Sequence, residues 1–406
     1  MFVGLPIAAV AECQILGLDH CLGQCRIGSS EGILDSIREE RIPPELLDPL
    51  AEIINDPLNC SQLKDKRVNN TQGKYTRHNL IEDMLATVEI IRALDVHEMN
   101  RFASKIIKHK LFFTGEGSSR IFPAHNTVYH VLQYSSEMVA VTESATQALE
   151  YDLKKYTVFA ASNSGKTKEV VRLIQHLLSK KHDNIIAVTS DGTSPIAQMV
   201  HDTYVLSCGP EGAVAATKSV VEQALFYDML LRNRTRQPLA DLNKLADLLQ
   251  IVLEMGIPGE IIEKTARADV IYFAGRNNGV AEELTLKANE VARKKSDFLE
   301  GTYTVHGIEE VITNKDVLII IDPFPQEENK FRDVMINRVG LPIFAISHKQ
   351  SSFPTILLPG YNGFNSYLQL VAGWNLLVEI GLMNKVDLDH PQRARKIGNE
   401  FETESQ

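Results

Sequence analysis

Residues 157–167 read TVFAASNSGKT: an apolar run, then a turn of hydroxyls and an amide around Gly165, then a helical pattern that begins at Glu169. A buried strand that ends in small polar residues and feeds a helix brings free backbone N–H groups and the positive end of the helix dipole to one point, where an anion fits. Ser162, Asn163, Ser164 and Thr167 surround that point with uncharged donors, and Lys166 is the only formal charge in the turn. Three readings compete: a sugar phosphate or similar anion, an ordinary polar turn, and a nucleotide. The nucleotide motif GxxxxGK[ST] requires a glycine where this chain has Ala160.

Outward from this turn, short β-branched runs alternate with amphipathic stretches after residue 75, the pattern of a parallel sheet covered by helices. The runs form two sets: 110–114, 157–162, 184–190 and 203–207, then 270–275, 316–322, 342–347 and 355–359. Thr114 to Ala160 spans 46 residues and Ala274 to Ile321 spans 47. Each set opens with a strand running into a glycine-bearing turn, GEGSS at 115–119 and GRNNG at 275–279, ahead of a helix. Two copies of one α/β unit are therefore expected. Ligands lie beyond the carboxyl ends of parallel strands, so GEGSS and SNSGKT should converge on one pocket. The second set has DPFPQEE in place of SNSGKT, and its acidic residues would repel a phosphate, so one phosphate site is expected.

Residues 1–75 fit neither copy. They hold IPPELLDPLAEIINDP, where prolines break short helices, and KDKRVNNTQGK, which reads as a solvated linker. A helix is expected over 79–95, with apolar residues at 80, 84, 88, 91 and 94 forming one stripe. The domains expected are 1–75, 76–240 and 241–406.

The chain has 406 residues and a formal net charge of −10, with no basic stripe, which argues against a nucleic-acid partner. No uninterrupted apolar run reaches membrane-spanning length, and acidic residues interrupt the apolar start without a basic flank, a poor fit to a signal peptide. Cys13, Cys21, Cys25, Cys60 and Cys208 are odd in number and scattered, as suits reduced thiols in a cytoplasm. Cys21 and Cys25 beside His20 have the wrong spacing for a zinc knuckle, and no other metal pattern is present. Chemistry without metal or cofactor is expected.

VAEELTLKANEVARKK, residues 280–295, reads as a helix in which Lys287 borders the buried stripe and Glu290 stands one turn along on the same side. The pair either faces a cleft or forms a surface ion pair of small worth. Sixteen residues past Glu290 comes His306, followed by Gly307. An imidazole beside a glycine, where backbone and ligand approach closely, suits ring opening of a sugar hemiacetal.

With these residues in view, the chain resembles the double sugar-isomerase (SIS) domain proteins, most closely the isomerase half of glucosamine-6-phosphate synthases, over roughly residues 80–400. The resemblance rests on Lys287, Glu290 and His306 at the family's spacing and on its SxSGxT loop at Ser162, Ser164, Gly165 and Thr167, with Asn163 where the synthases have glutamine. It extends to the turn Gly117, Ser118, Ser119, to AVAATKS with Val214 at a sugar-contacting position, and to DLDHPQRARK, which ends on Lys396.

The resemblance implies two tandem flavodoxin-like, three-layer αβα domains with parallel sheets behind a mostly helical N-terminal extension. It implies aldose–ketose isomerisation of a hexose or amino-hexose 6-phosphate, with or without loss of ammonia. Glu290 would carry the proton between C1 and C2, and His306, reaching the site from a neighbouring subunit of a homodimer, would open the ring. Lys287 would steady the enediol oxygen or the glutamate, and Lys396 would form an imine with a ketose. Gly117, Ser118, Ser119, Ser162, Asn163, Ser164 and Thr167 would hold the phosphate.

Departures remain. The synthases' glutaminase half opens on a nucleophilic cysteine, whereas this chain opens Met1, Phe2, so ammonia from glutamine is not expected. Val305 and Ile308 replace a lysine and a proline around the family's HisGly. Glu309 and Glu310 resemble the SIS deglycases that cleave fructosamine 6-phosphates, the second enzymatic reading. A sugar-phosphate sensor without catalysis is the third.

Overall fold

A computed structural model describes residues 72–134 and 137–393. The expectations for residues 1–71, the Cys21 and Cys25 pair included, and for Lys396 lie outside the described residues. Ahead of the first sheet runs α1 (Asn79–Ala93), with Leu80, Met84, Val88 and Ile91 buried as the stripe predicted. The first unit follows as β1 (Lys110–Gly115), α2 (Ile121–Tyr134), β2 (Val139–Ser144), β3 (Tyr156–Ala161), α3 (Lys168–Ser179), β4 (Ile185–Thr189), β5 (Asp202–Val205) and α4 (Lys218–Thr235). α5 (Leu242–Glu254) leads into the second unit: β6 (Val270–Gly275), α6 (Val280–Glu290), β7 (Lys295–Glu300), β8 (Val317–Ile321), β9 (Ile343–Ser347), β10 (Thr355–Leu357) and α7 (Asn365–Met383).

Each unit builds a five-stranded parallel sheet, in the orders β2-β1-β3-β4-β5 and β7-β6-β8-β9-β10. The orders are the same once each strand is replaced by its counterpart, as two copies of one unit require. The eight runs read as strands are all strands, and the two further strands, β2 and β7, lie at sheet edges. Continuous apolar runs such as Val317–Ile321 are buried at every position because helices cover both faces.

The helices divide by environment. α3 is amphipathic and buries Val170, Val171, Leu173, Ile174 and Leu177 on one side. α4 and α7 are buried nearly all round, α7 continuously from Ser366 to Gly381, because they lie between the two sheets. Phe113, Phe159, Phe226, Phe273, Tyr367 and Trp374 thus belong to one core that runs through both units. Within it, Asn375 Nδ2 of α7 donates to the carbonyls of Val252, Leu253 and Met255 at 2.9 to 3.2 Å, closing the end of α5.

The border expected at residue 75 falls within a short helix, Gly73–Thr76. Its Tyr75 is fully buried and donates its hydroxyl to Glu379 of α7, so this stretch packs on the second unit.

α2 and α6, the first helix after the opening strand of each unit, meet one another. Gly279 permits this with φ +86°, since a Cβ there would stand 2.9 Å from Phe122 Cα. His125 and Glu282 join the two helices at 2.6 Å. The approach carries α6 across the unit boundary, so Lys287 reaches the turn that follows β1.

Candidate active site

The turn after β1 and the turn after β3 are neighbours because β1 pairs directly with β3. In the second turn, Ser162 and Thr167 hydroxyls meet at 2.7 Å, and the Asn163 carbonyl accepts from Ser190 N (2.9 Å), Ser190 Oγ (2.8 Å) and Thr189 Oγ1 (3.1 Å). Thr167 is the N-cap of α3 but makes no side-chain capping bond. The first-turn N–H groups of α3 therefore need another acceptor, which is the electrostatic requirement of an anion site.

Gly165 holds the turn's shape. Its φ is +66°, and a Cβ would lie 2.0 Å from the hydroxyl oxygen of buried Ser194. Gly165→Ala is expected to destabilise the chain by about 1–3 kcal/mol and to weaken phosphosugar binding, read from a thermal melt with and without fructose 6-phosphate. A variant of native stability with native binding would remove this turn from the site.

α6 supplies the charged centre. Lys287 is fully buried, and its Nζ donates to Ser118 Oγ at 2.7 Å and to Glu290 Oε2 at 2.8 Å, with Glu283 Oε1 at 3.2 Å. A surface ion pair is therefore ruled out for Lys287 and Glu290. Burial alone would push the lysine pKa down, but the Glu290 and Glu283 carboxylates outweigh it and hold the group above its ordinary value. Burial pushes the Glu283 carboxyl up, against the opposing pull of Lys287. Glu290 is the outer member of the trio, with its side chain 28% exposed and available to a ligand.

Glu290 opens onto a cleft of about 740 Å³ that Val214, Arg293 and the segment 385–393 also line. The loop carrying Val214 is pinned by buried carboxylates. Glu211 accepts from the N–H groups of Thr217 and Ser219, both at 3.0 Å, and Asp83 of α1 accepts from Gly212 N (2.7 Å) and Ala213 N (3.0 Å).

Lys287 thus joins three predicted residues, itself, Ser118 and Glu290, in one hydrogen-bonded group. Ser118 binds the lysine as well as bordering the phosphate turn. Ser119 contributes its carbonyl, which accepts from Gln223 Nε2 at 2.7 Å. Gly117 has φ +55° at the exposed tip of the turn. His306 is not brought to Glu290 within this chain: it is exposed, and its Nε2 lies 3.2 Å from Lys330 Nζ. Ser164 is exposed as well, its hydroxyl accepting from Lys166 N at 3.3 Å.

Glu283 and Arg293 were not singled out from the sequence, although Glu283 stands four residues before Lys287 and completes an E-x-x-x-K-x-x-E pattern. At the second unit's equivalent crevice, Asp322 receives Arg276 Nε on its carbonyl at 3.1 Å and the Ser347 hydroxyl on Oδ1 at 2.9 Å. A carboxylate fills the place where the first unit has hydroxyls. Cys208 is buried, and that burial pushes its thiol pKa well up, which makes a poor nucleophile. Among the described residues, one possible metal-ligand group, His78, Asp387 and Asp389, gathers at the start of α1. There Asp389 accepts from Asn79 N (3.0 Å) and Leu80 N (2.8 Å) as the helix cap.

Residues 106–232, which contain both turns, match the family model described as SIS domain. The chain carries a SIS domain. A relative named glutamine–fructose-6-phosphate aminotransferase [isomerizing], from Sulfurisphaera tokodaii, is 27% identical over 233 residues, covering 54% of this chain and 39% of the relative. The chain thus spans about two fifths of that relative's length.

Among solved structures, the C-terminal domain of glucosamine-fructose-6-phosphate aminotransferase from Francisella tularensis superposes with a TM-score of 0.64 at 16% identity, covering 79% of this chain and all of that one (100%). Tagatose-6-phosphate ketose/aldose isomerase from Escherichia coli gives 0.64 at 15% identity, covering 80% and 100%. These likenesses extend the SIS fold over both units. Among the described residues, no helix is long and apolar enough to cross a membrane.

Proposed function

We propose that this SIS protein is an enzyme acting on a hexose or amino-hexose 6-phosphate, and that it moves a proton between C1 and C2 to interconvert aldose and ketose. The observation that carries the reading is the buried Lys287, which ties the partly exposed Glu290 carboxylate to Ser118 beside the phosphate turn. A sensor would need no buried ionic trio aimed into a cleft, since such a group is costly to bury. Perturbed groups of this kind cluster at functional sites.

The phosphate would sit against Ser162, Asn163, Ser164 and Thr167 at the start of α3, with Ser119 and Gly117 at its edge, as the fixed handle that orients the sugar. Glu290 takes the proton from one carbon and returns it to the other, so no proton is lost overall. Lys287 neutralises charge on the enediol oxygen while holding the glutamate in place. His306 is assigned to ring opening from a partner subunit of a homodimer, since it stands exposed and away from Glu290 in its own chain. Val214 borders the sugar, and the imine role of Lys396 belongs to the same proposal. So do domain limits of 76–240 and 241–406 and a cytoplasmic setting. With an amino sugar, the same proton shift would give an imine at C2, and addition of water to it would release ammonia and leave the ketose.

The test is incubation with fructose 6-phosphate and glucosamine 6-phosphate in deuterated water. Deuterium at C1 or C2 is the expected result, with ammonia and fructose 6-phosphate appearing if deamination accompanies it. Tight binding of both sugars with no isotope uptake would leave a sensor instead.

A further inference from the structure

Val214 and Ala215 line the cleft onto which Glu290 opens. Among the described residues, the backbone N–H groups of Val214, Ala215 and Ala216 make no hydrogen bond, so the place of this span beside Glu290 is set by what holds its two ends. Both ends meet one side chain. Asp83 of α1 accepts on Oδ2 from Gly212 N at 2.7 Å and Ala213 N at 3.0 Å, and its Oδ1 pairs with Lys218 Nζ at 2.8 Å. Glu211 draws the loop closed on itself, accepting from Thr217 N at 3.0 Å and from the Ser219 hydroxyl at 2.6 Å.

Asp83 is 4% exposed, and both of its oxygens are spent on the loop and on Lys218, the first residue of α4. A buried carboxylate is costly unless its lone pairs are answered, and an apolar contact would hold the helix in place at less cost. The carboxylate therefore serves the loop and not the packing of α1. At its first turn α1 is gripped in the opposite sense: Asp389 accepts from Asn79 N at 3.0 Å and Leu80 N at 2.8 Å, and Leu388 and His390 on either side of Asp389 line the same cleft. One helix, ahead of the residues 106–232 that match the SIS model, thus joins two segments that line the cleft.

We infer that Asp83 is a positioning residue for the proposed reaction: by bonding both ends of the loop it holds the Val214–Ala216 span where C1 and C2 of a phosphate-anchored sugar come to rest against Glu290. This rests on the proposed function and extends it to a helix outside the matched SIS residues. The phosphate turn lies on α3 and the proton carrier on α6, and Asp83 bonds to neither. Changing it leaves handle and base in place and removes the alignment between them, a loss that falls on the sugar and not on the phosphate.

The experiment compares the full chain with its Asp83→Asn and Val88→Ala variants in two measurements: calorimetric titration with fructose 6-phosphate and with inorganic phosphate, and the rate of deuterium uptake from solvent into fructose 6-phosphate. Asparagine keeps the size of the side chain but has one acceptor oxygen, so it cannot serve the Gly212 and Ala213 N–H groups and Lys218 together. Val88 is buried on the apolar stripe of the same helix, and its truncation lowers stability while leaving the loop's hydrogen bonds in place. Asp83→Asn is expected to weaken fructose 6-phosphate about fivefold, to leave inorganic phosphate within about twofold, and to slow deuterium uptake by on the order of 10²-fold. Val88→Ala is expected to melt at lower temperature with both affinities and the rate per folded molecule kept within about twofold. Should Asp83→Asn fail to fold, Lys218→Gln, which loosens one end of the loop, is expected to give the same selective loss at smaller size, and its absence there would overturn the inference. An equal fall in both affinities, a fall in Val88→Ala that matches Asp83→Asn, or an Asp83→Asn variant that behaves as the unaltered chain would each leave Asp83 a structural residue and overturn it while the proposed function stands. An unaltered chain that shows no preference for fructose 6-phosphate over phosphate, or no deuterium uptake, would defeat the proposed function and this inference together.

Discussion

Replacing Glu290 by glutamine is expected to lower turnover by on the order of 10³-fold while leaving sugar-phosphate affinity within a few-fold of the original. The amide keeps the size of the side chain and can still accept from Lys287 through its oxygen, so the hydrogen bond now at 2.8 Å survives in kind. What disappears is the ability to take up and hand back a proton. Because the phosphate turn lies on α3 and the substitution on α6, the binding handle is untouched. The loss should therefore fall on kcat and not on KM, the pattern of an interaction made in the transition state. Solvent deuterium at the sugar carbons is the direct readout. A variant that still exchanges deuterium at the original rate would take the proton-carrying role away from Glu290.

The parallel sheets were legible because strands covered on both faces leave continuous apolar runs. VLIII of β8 is one, IIAVT of β4 and IFAIS of β9 are others, and all are buried along their whole length. β2 and β7 were not legible, for the converse reason. VAVTES and KSDFLE sit at sheet edges, where most of their residues are exposed or half-buried and only Leu299 is buried, so neither run is apolar enough to stand out. The length of α6 was read through residue 295, whereas the helix ends at Glu290 and Arg293 turns left-handed. Arginine and lysine are good helix formers, and the sequence carries no glycine to mark the stop.

The site was legible in its parts but not in its connections. Lys287 reads as a polar residue on the border of a stripe, because hydropathy treats lysine as a surface side chain. Its burial becomes feasible only when carboxylates stand both four residues before it and three after it, and when the other unit offers Ser118. The first two facts are in the sequence and the third is not. The separation of His306 from Glu290 could not be read from spacing at all, since fifteen residues of strand and loop lie between them.

Lys287→Met tests the trio from its centre and carries the largest expected effect on stability. Methionine fills nearly the same volume, so packing loss is small, and the consequence is electrostatic. Glu283 is fully buried and would face the interior without its cation, and breaking a buried pair from one side costs about 3–5 kcal/mol. The cost depends on pH in a defined direction. Burial already raises the Glu283 carboxyl above its ordinary value against the pull of Lys287, and removing the lysine raises it further. A carboxyl raised on folding favours the folded state while protonated, and that contribution is lost as pH rises through the unfolded and then the folded value. The variant should therefore recover part of its stability on the acid side, near pH 5, and be weakest above neutrality. Denaturant titrations of both proteins at several pH values would check this, and the double variant Glu283→Gln, Lys287→Met should be more stable than the single one near neutral pH. A pH-independent difference, or a double variant no better than the single, would mean that Lys287 is not compensating Glu283.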